Sequence, residues 1–133
     1  MSETTFPETL ELRCGPVSAV DLALFAAASG DHNPLHLDAE VARAAGFERP
    51  VVHGMLSMAF AGRLFTTRWG PGALAHLQTR FTAAASLGDT ITLRADREEV
   101  RKDGTARYRL QARNQAGTAL IDGQALVRGQ PLQ

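Results

Sequence analysis

The stretch that decides the fold runs from Gly54 to Trp69 and reads GMLSMAFAGRLFTTRW. Its first three turns are apolar on most sides, and Gly70 and Pro71 follow it as helix-stop signals. A helix that is apolar around most of its circumference is expected to be buried rather than to keep one wet face. The segment therefore predicts a long central helix that other elements cover.

Four segments of strand character follow this helix, over about residues 74–86, 89–100, 105–114 and 118–127. The alternation of apolar and polar residues is clearest at Ile91, Leu93, Ala95, Tyr108, Leu110 and Ala112. This pattern predicts an antiparallel meander with one covered face. A buried helix lying against such a sheet predicts an α+β fold.

The residues before the central helix predict a short strand and two short helices. The strand covers residues 8–13. Ser18, with Asp21 three positions later, predicts a capped helix over about 18–29 that ends at Gly30. The apolar residues at helical spacing in it are Val20, Leu24, Phe25 and Ala28. A second short helix, capped by Asp38, is expected to run through Ala45.

Size and composition limit the class of protein. The chain has 133 residues, which fits one domain over residues 1–133. Its formal net charge of zero predicts no general attraction to nucleic acid or to an anionic membrane. No apolar run has the roughly 18 residues of a membrane span, and the N-terminal region lacks the pattern of a secretory signal, so we expect a cytoplasmic protein.

The loop after the first helix concentrates polar side chains. It reads SGDHNPLH over residues 29–36. Pro34 disfavours helical geometry at Asn33, and an Asn-Pro turn can fold the segment back so that Asp31 and His36 meet. A carboxylate beside an imidazole can hold and activate a water molecule. The same spacing also fits a structural loop in which Asp31 caps backbone amides and His36 only packs.

Metal and nucleophile chemistry are disfavoured. His32 and His36 lie four residues apart, as two ligands on a helix would, but Pro34 between them breaks the helix. Neither a Gly-x-Ser-x-Gly elbow nor a catalytic signature around the single cysteine, Cys14, is present. The sequence therefore predicts no metal and no cofactor.

A second candidate site lies where VVHGM, residues 51–55, turns into the central helix. The first N–H groups of a helix have no intrahelical acceptor, and Gly54 has no side chain to keep a ligand from its amide. This corner predicts a donor for negative charge that develops on an oxygen atom. The alternative is that Gly54 only permits close packing.

Two motifs resemble the MaoC-like, R-specific enoyl-CoA hydratase family. They are DHNPLH at residues 31–36, with Ala42 following it, and GFERPVVHGM at residues 46–55. The resemblance includes the hydratase 2 motif and runs from about Val20 to Arg68. It implies the hotdog fold, in which an antiparallel sheet wraps a long central helix, and a homodimer whose protomers pair edge to edge.

The resemblance also implies a reaction and the residues that perform it. Asp31 and His36 match the catalytic pair that activates water, and the N–H of Gly54 matches the donor to the thioester oxygen. Asn33 and His53 match supporting positions in the loop and before the helix. The expected reaction is the reversible, R-specific hydration of trans-2-enoyl-CoA to (R)-3-hydroxyacyl-CoA.

The motifs leave the carrier and the acyl-chain length open. Gly62 stands where bacterial hydratases of this kind often have serine, and the bulky residues expected on the acyl-tunnel wall are Phe60, Leu64 and Phe65. The first alternative function is a (3R)-hydroxyacyl-acyl-carrier-protein dehydratase. A hotdog acyl-CoA thioesterase and a non-catalytic acyl-thioester binding module are further alternatives. The expected partner is thus an acyl-CoA or acyl-carrier-protein thioester, and neither nucleic acid nor membrane.

Six arginines and one lysine lie between residues 94 and 113. Arg107, Arg109 and Arg113 share one face if that segment is a strand. The interleaved acidic residues favour a solvated outer sheet face. The alternative is a docking patch for a phosphorylated carrier.

Overall fold

The structure is a computed structural model, and it describes residues 6–128. The elements along the chain are β1 (Thr9–Cys14), α1 (Ala19–Ser29), a short 3-10 turn (Pro34–His36), α2 (Ala39–Ala44), α3 (Gly54–Trp69), β2 (Leu74–Phe81), β3 (Ile91–Val100), β4 (Ala106–Arg113) and β5 (Ala119–Val127). The central helix begins and ends at the predicted residues. The strand predicted over residues 74–86 is too long, because β2 ends at Phe81 and the chain then leaves the sheet.

The five strands form one antiparallel sheet in the order β1-β3-β4-β5-β2. The predicted meander is confirmed for β3, β4 and β5. β2, however, pairs with β5 rather than with β3, so the chain crosses the sheet between β2 and β3. The crossing segment, residues 82–90, therefore has to pass the start of α3, where Ser86 forms an isolated bridge with Val51.

The core lies between α3 and one face of the sheet. The strand residues predicted to face inward are all buried: Ile91, Leu93, Ala95, Tyr108, Leu110 and Ala112. From the helix, Phe65 is fully buried, and its ring lies 5.7 Å from that of Tyr108. Burying one such side chain contributes about 1.5–3 kcal/mol, so this contact fixes the helix on the sheet. The α+β prediction is confirmed.

α3 is buried on one face only. Its buried residues are Ser57, Ala61, Leu64, Phe65 and Trp69, whereas Met55 is 59% exposed. The prediction of a helix covered on all sides is wrong for the single chain, because one sheet covers one side of the helix. Leu64 and Phe65 both belong to the core, and their place on an acyl-tunnel wall stays a prediction.

α1 has the predicted ends but not the predicted buried face. The Ser18 hydroxyl accepts from the Asp21 N–H at 3.0 Å, and the Ser18 N–H donates to Asp21 Oδ2 at 2.8 Å, which completes the capping box. Gly30 ends the helix with a φ of 77°. The helix buries Leu22 and Ala26. Val20 and Leu24, which the sequence predicts on the buried face, are instead 65% and 64% exposed.

The outer face of the sheet carries the arginine-rich segment. The ion pairs there include Arg94–Asp96 at 3.1 Å, Arg107–Glu99 at 3.2 Å and Arg109–Asp122 at 3.8 Å. These contacts favour the solvated-face interpretation over a phosphate-docking patch, because the guanidinium groups are already paired with carboxylates. Within residues 6–128, no helix has the length and apolar character needed to cross a membrane.

A buried carboxylate ties the crossing segment to the chain before α3. Asp89 is 2% exposed, accepts from the Ser86 N–H and from Gln115 Nε2, both at 2.9 Å, and lies 3.4 Å from the Arg49 guanidinium. Arg49 also donates to the Leu87 carbonyl at 2.7 Å. Burial alone raises the pKa of Asp89, but the hydrogen bonds from Gln115 and Ser86 and the charge of Arg49 outweigh burial, so its pKa lies below the usual Asp value.

Replacing Asp89 with asparagine should destabilise the fold by about 2–4 kcal/mol, because one carboxylate oxygen becomes a donor facing other donors. A carboxyl whose pKa is lower in the folded state stabilises the fold above its unfolded pKa. That contribution is lost as the pH falls through the folded pKa. Urea unfolding at neutral and acidic pH measures both effects. Glu48→Gln, at an exposed position, is the control, and equal stability of the two variants at neutral pH would contradict this role for Asp89.

Candidate active site

The Asp31 side chain is positioned by the turn around it. Its Oδ1 accepts from the Asn33 N–H at 3.3 Å, and its own N–H donates to the Ser29 hydroxyl at 3.2 Å. Asn33 in turn accepts from the Leu35 N–H at 3.0 Å and so caps the 3-10 turn that carries His36. The structural-loop and site interpretations of this segment are therefore compatible, because Asp31 Oδ2 stays free of these contacts.

The structure brings Asp31 and His36 together. Asp31 Oδ2 lies 3.6 Å from His36 Nε2, and the side chains are 51% and 13% exposed. His36 Nδ1 lies 2.7 Å from the Val51 carbonyl oxygen. Because a carbonyl can only accept, Nδ1 carries the proton, and in the neutral ring Nε2 offers its lone pair toward Asp31.

His53 lies directly beneath this pair. Its ring is 1% exposed and stacks on His36 with centroids 3.8 Å apart and an interplanar angle of 22°. Its Nε2 donates to the Asp31 carbonyl oxygen at 3.1 Å. Within the described part of the chain, its Nδ1 is the one buried side-chain polar atom without a hydrogen-bond partner. His53 therefore holds both halves of the pair, one through its ring face and the other through its N–H.

Gly54 is the first residue of α3, and its N–H is the backbone donor predicted for the site. The first hydrogen bonds of the helix are made by the N–H groups of Leu56 and Ser57, which both donate to the carbonyl oxygen of His53. Among residues 6–128, no backbone acceptor is found for the N–H of Gly54 or of Met55, and no side chain caps the helix. A Cβ on Gly54 would lie 3.3 Å from the Phe81 ring. The corner thus has both free donors and a packing reason for glycine.

The site also offers three groups that can ligate a metal. One ligand atom each from Asp31, His36 and His53 falls within a 4.8 Å cluster, and His32 is not part of it. A metal needs nitrogen lone pairs that converge, but they lie in the ring planes, and the His36 and His53 rings are stacked nearly parallel. His36 Nδ1 and His53 Nε2 are also engaged by carbonyl oxygens. The absence of a metal stays a prediction.

Two parts of this arrangement are not evident from the motif. Phe25 of α1 packs edge-on against His53, with ring centroids 4.8 Å apart. The Val51 carbonyl sets the tautomer of His36, although Val51 reads in the sequence only as part of an extended segment. Helical spacing singles out Phe25, but nothing in the sequence indicates the carbonyl contact.

Two substitutions of His53 should separate its roles. His53→Phe keeps a ring for stacking and loses the donor to Asp31, whereas His53→Gln keeps a donor and loses the ring. We expect each to lower kcat about ten- to a hundredfold with little change in KM, because a small displacement of reacting groups has effects of this size. His53→Phe should fold at least as stably, since it removes an unpaired buried nitrogen. Unchanged kcat in both variants, measured beside their melting temperatures, would refute the positioning role.

The chain is similar in sequence and in structure to several known proteins. The family model described as MaoC like domain matches residues 4–119. The chain is 36% identical over 113 residues to the (R)-specific enoyl-CoA hydratase of Aeromonas caviae, which covers 83% of this chain and 84% of that protein. It is 41% identical over 75 residues to the mitochondrial 3-hydroxyacyl-[acyl-carrier-protein] dehydratase of Arabidopsis thaliana, covering 56% of this chain and 45% of that protein. The unliganded R-hydratase of Pseudomonas aeruginosa superimposes with a TM-score of 0.85 at 34% identity, over 93% of this chain and 81% of that one.

Proposed function

Because the chain belongs to the MaoC-like domain family, we propose that it catalyses the reversible, R-specific hydration of trans-2-enoyl-CoA to (R)-3-hydroxyacyl-CoA. The observation that carries this proposal is the 3.6 Å approach of Asp31 Oδ2 to His36 Nε2. His53, which stacks on His36, directly precedes Gly54 and its free N–H. The fold supports it, since the structural relatives are hotdog R-hydratases.

The pair presents two acceptors to one water molecule. The hydrogen bond to the Val51 carbonyl keeps the ring proton of the neutral imidazole on Nδ1. Both His36 Nε2 and Asp31 Oδ2 are then free to accept hydrogen bonds. A water between them donates one hydrogen to each, which directs its oxygen lone pairs away from the pair and toward the substrate. This arrangement orients the nucleophile and provides its base at the same point.

The reaction then needs two proton transfers, one from the water to the pair and one from the pair to C2. A water lone pair forms the bond to C3 while the C2–C3 π electrons move toward the thioester carbonyl, whose oxygen becomes negative. The Gly54 N–H, at the start of α3, stabilises that oxygen. One member of the pair takes the proton from the attacking water. The electron pair then returns to C2, which receives a proton from the pair on the same face, and the net change is addition of one water.

Hydration of crotonyl-CoA by the purified chain tests the proposal. The absorbance of the conjugated enoyl thioester should fall, and chiral analysis should give the (R)-3-hydroxy product. A thiol-reactive dye should stay colourless, because hydration leaves the thioester intact. Thiol release would indicate a thioesterase, and tight acyl-CoA binding with neither reaction would indicate a binding module; either outcome overturns the proposal.

The second candidate is the dehydration of (3R)-hydroxyacyl chains on acyl carrier protein. The match to the Arabidopsis thaliana dehydratase favours it, although that match covers 56% of this chain against 83% for the hydratase. The two functions share the same chemistry and differ in the carrier of the acyl chain, which is CoA in one and acyl carrier protein in the other. A preference for the carrier-linked substrate over the CoA thioester of the same acyl chain would establish the second candidate.

We further expect a cytoplasmic homodimer. β2 is an edge strand of the sheet, and its Phe81 is 47% exposed and lies beside Gly54. A second copy paired along β2 would extend the sheet and cover this open side of the site. Sedimentation analysis of the purified chain, with a monomer as the contradicting result, tests the dimer.

A further inference from the structure

Both backbone groups of Val51 bond to the loop that carries His36. The Val51 N–H donates to the Leu35 carbonyl oxygen at 2.9 Å, and the Val51 carbonyl accepts from His36 Nδ1 at 2.7 Å. The position of Val51 therefore sets where this loop lies and which ring nitrogen of His36 holds the proton.

The residues on either side of Val51 bond instead to the crossing segment. The Pro50 carbonyl accepts from the Leu87 N–H, and the Val52 N–H donates to the Ala85 carbonyl, both at 2.8 Å. The backbone groups of successive residues in an extended chain point to opposite sides. This chain is therefore the middle one of three segments, with the loop on one side and the crossing segment on the other.

Arg49, one residue before Pro50, fastens the crossing segment to the same chain through its side chain. Its Nη1 donates to the Leu87 carbonyl oxygen at 2.7 Å, and its Nη2 lies 3.4 Å from Asp89 Oδ1. Leu87 is thus bonded to this chain through its N–H as well as its carbonyl. The planar guanidinium can bridge a carbonyl and a carboxylate at once because its donors point in fixed, separate directions.

Asp89 gives the crossing segment its local shape independently of Arg49. Its Oδ2 accepts from the Ser86 N–H at 2.9 Å, and its own N–H donates to the Ser86 carbonyl at 2.9 Å. Its Oδ1 also accepts from Gln115 Nε2 at 2.9 Å, in the turn between β4 and β5. Loss of the Arg49 side chain therefore leaves these bonds in place and removes the side-chain link to the chain before α3.

We propose that Arg49 is a positioning residue of the active site. By holding the chain before α3 against the crossing segment, it keeps the Val51 carbonyl where it fixes the ring proton of His36 on Nδ1. This inference rests on the proposed function, in which His36 Nε2 offers its lone pair to water. The competing tautomer carries the proton on Nε2, toward Asp31 Oδ2, and has no lone pair there for water.

Arg49→Met tests the role, because it keeps an unbranched stem and removes both contacts. We expect kcat for crotonyl-CoA hydration to fall about three- to tenfold with little change in KM, since small displacements of reacting groups have large effects on rate. The ¹⁵N resonances of the His36 ring, assigned by their loss in His36→Ala, should shift toward the tautomer protonated on Nε2. They are recorded at alkaline pH, where imidazole rings are neutral. Arg43→Met, at an exposed position of α2, is the matched control and should change neither kcat nor these resonances.

Arg49→Lys should give an intermediate kcat and an intermediate tautomer population, because one ammonium group keeps the charge beside Asp89 without the two-way bridge. Each variant is measured well below its melting temperature, where a merely structural role would move neither quantity. Unchanged kcat in folded Arg49→Met, or in Arg49→Lys if the methionine variant does not fold, would overturn the positioning role. A fall in kcat without the shift in the His36 resonances would overturn it too. Failure of the wild type with crotonyl-CoA would instead refute the proposed function, and the resonances would still report whether Arg49 sets the tautomer.

Discussion

Replacing His36 with alanine should lower kcat for crotonyl-CoA hydration by at least about a hundredfold, because positioned acid–base groups contribute about 10²- to 10⁴-fold to such reactions. His36 Nε2 is the nitrogen that faces Asp31 Oδ2, whereas His53 Nε2 is engaged by the Asp31 carbonyl oxygen and His53 Nδ1 is buried. KM should change little, since the contribution is made in the transition state. Steady-state kinetics with the purified variant measure both constants.

A matched variant distinguishes chemistry from loop geometry. His36→Asn places an amide N–H near the position of Nδ1, so it can keep the hydrogen bond to the Val51 carbonyl while removing Nε2. We expect kcat to stay as low as in His36→Ala, with a melting temperature closer to that of the wild type. Recovery of activity in His36→Asn would mean that the bond to Val51, rather than the free nitrogen, is what catalysis needs.

Replacing Asp31 with asparagine should have an effect of similar size, at least about a hundredfold on kcat. Asparagine has nearly the same shape and can still accept from the Asn33 N–H, so the turn is preserved. What is lost is the second acceptor for water, because the atom facing His36 becomes an amide nitrogen. The loss should therefore appear in kcat while the melting temperature stays near the wild-type value.

Asp38→Asn is the control for the removal of a charge from this region. Asp38 caps α2 by accepting from the Glu40 N–H at 2.9 Å, and asparagine caps helices about as well as aspartate. Its kcat should stay within a factor of about two of the wild type, since such surface substitutions cost little. Full activity in Asp31→Asn, with Asp38→Asn also active, would remove Asp31 from the mechanism.

The local signals of the sequence predict much of the fold. Ser18 with Asp21, Asp38, and the Gly70 stop are interactions between near neighbours, and each helix boundary they predict is confirmed within a residue or two. The inward face of β3 and β4 is likewise predicted, because alternation along a strand reports directly which side is buried.

Pairing partners and exposed faces are harder to predict, because they depend on residues distant in sequence. β2 has ordinary strand character, and nothing within it indicates that β5 rather than β3 is its neighbour. Val20 and Leu24 recur at helical spacing and so resemble a core face, although in the single chain they lie on the outside of α1. A hydrophobic pattern shows that a face needs a partner, but not whether that partner is the core, a substrate or another molecule.

In the candidate site, too, the sequence predicts the local features but not the contacts between distant residues. The motif brings Asp31 and His36 to attention, and their approach to 3.6 Å follows from a turn that the Asn-Pro pair favours. The contacts that align the pair come from the Val51 carbonyl and the His53 ring, which are 15 and 22 residues away from their partners His36 and Asp31. No local signal predicts these bonds, since they depend on how the chain before α3 packs against the loop.

The two hydrogen bonds made by residues 51 and 53 tie the proposed water-activating pair to the chain that leads into α3. A displacement of the first turn of α3 would carry His36 and the Gly54 amide along together, whereas Asp31 also follows α1, since it comes directly after Gly30 at the end of that helix. In an engineered exchange of α1 between relatives, the rate of the chemical step should therefore fall wherever the new helix shifts Asp31 or loses the contact of Phe25 with His53.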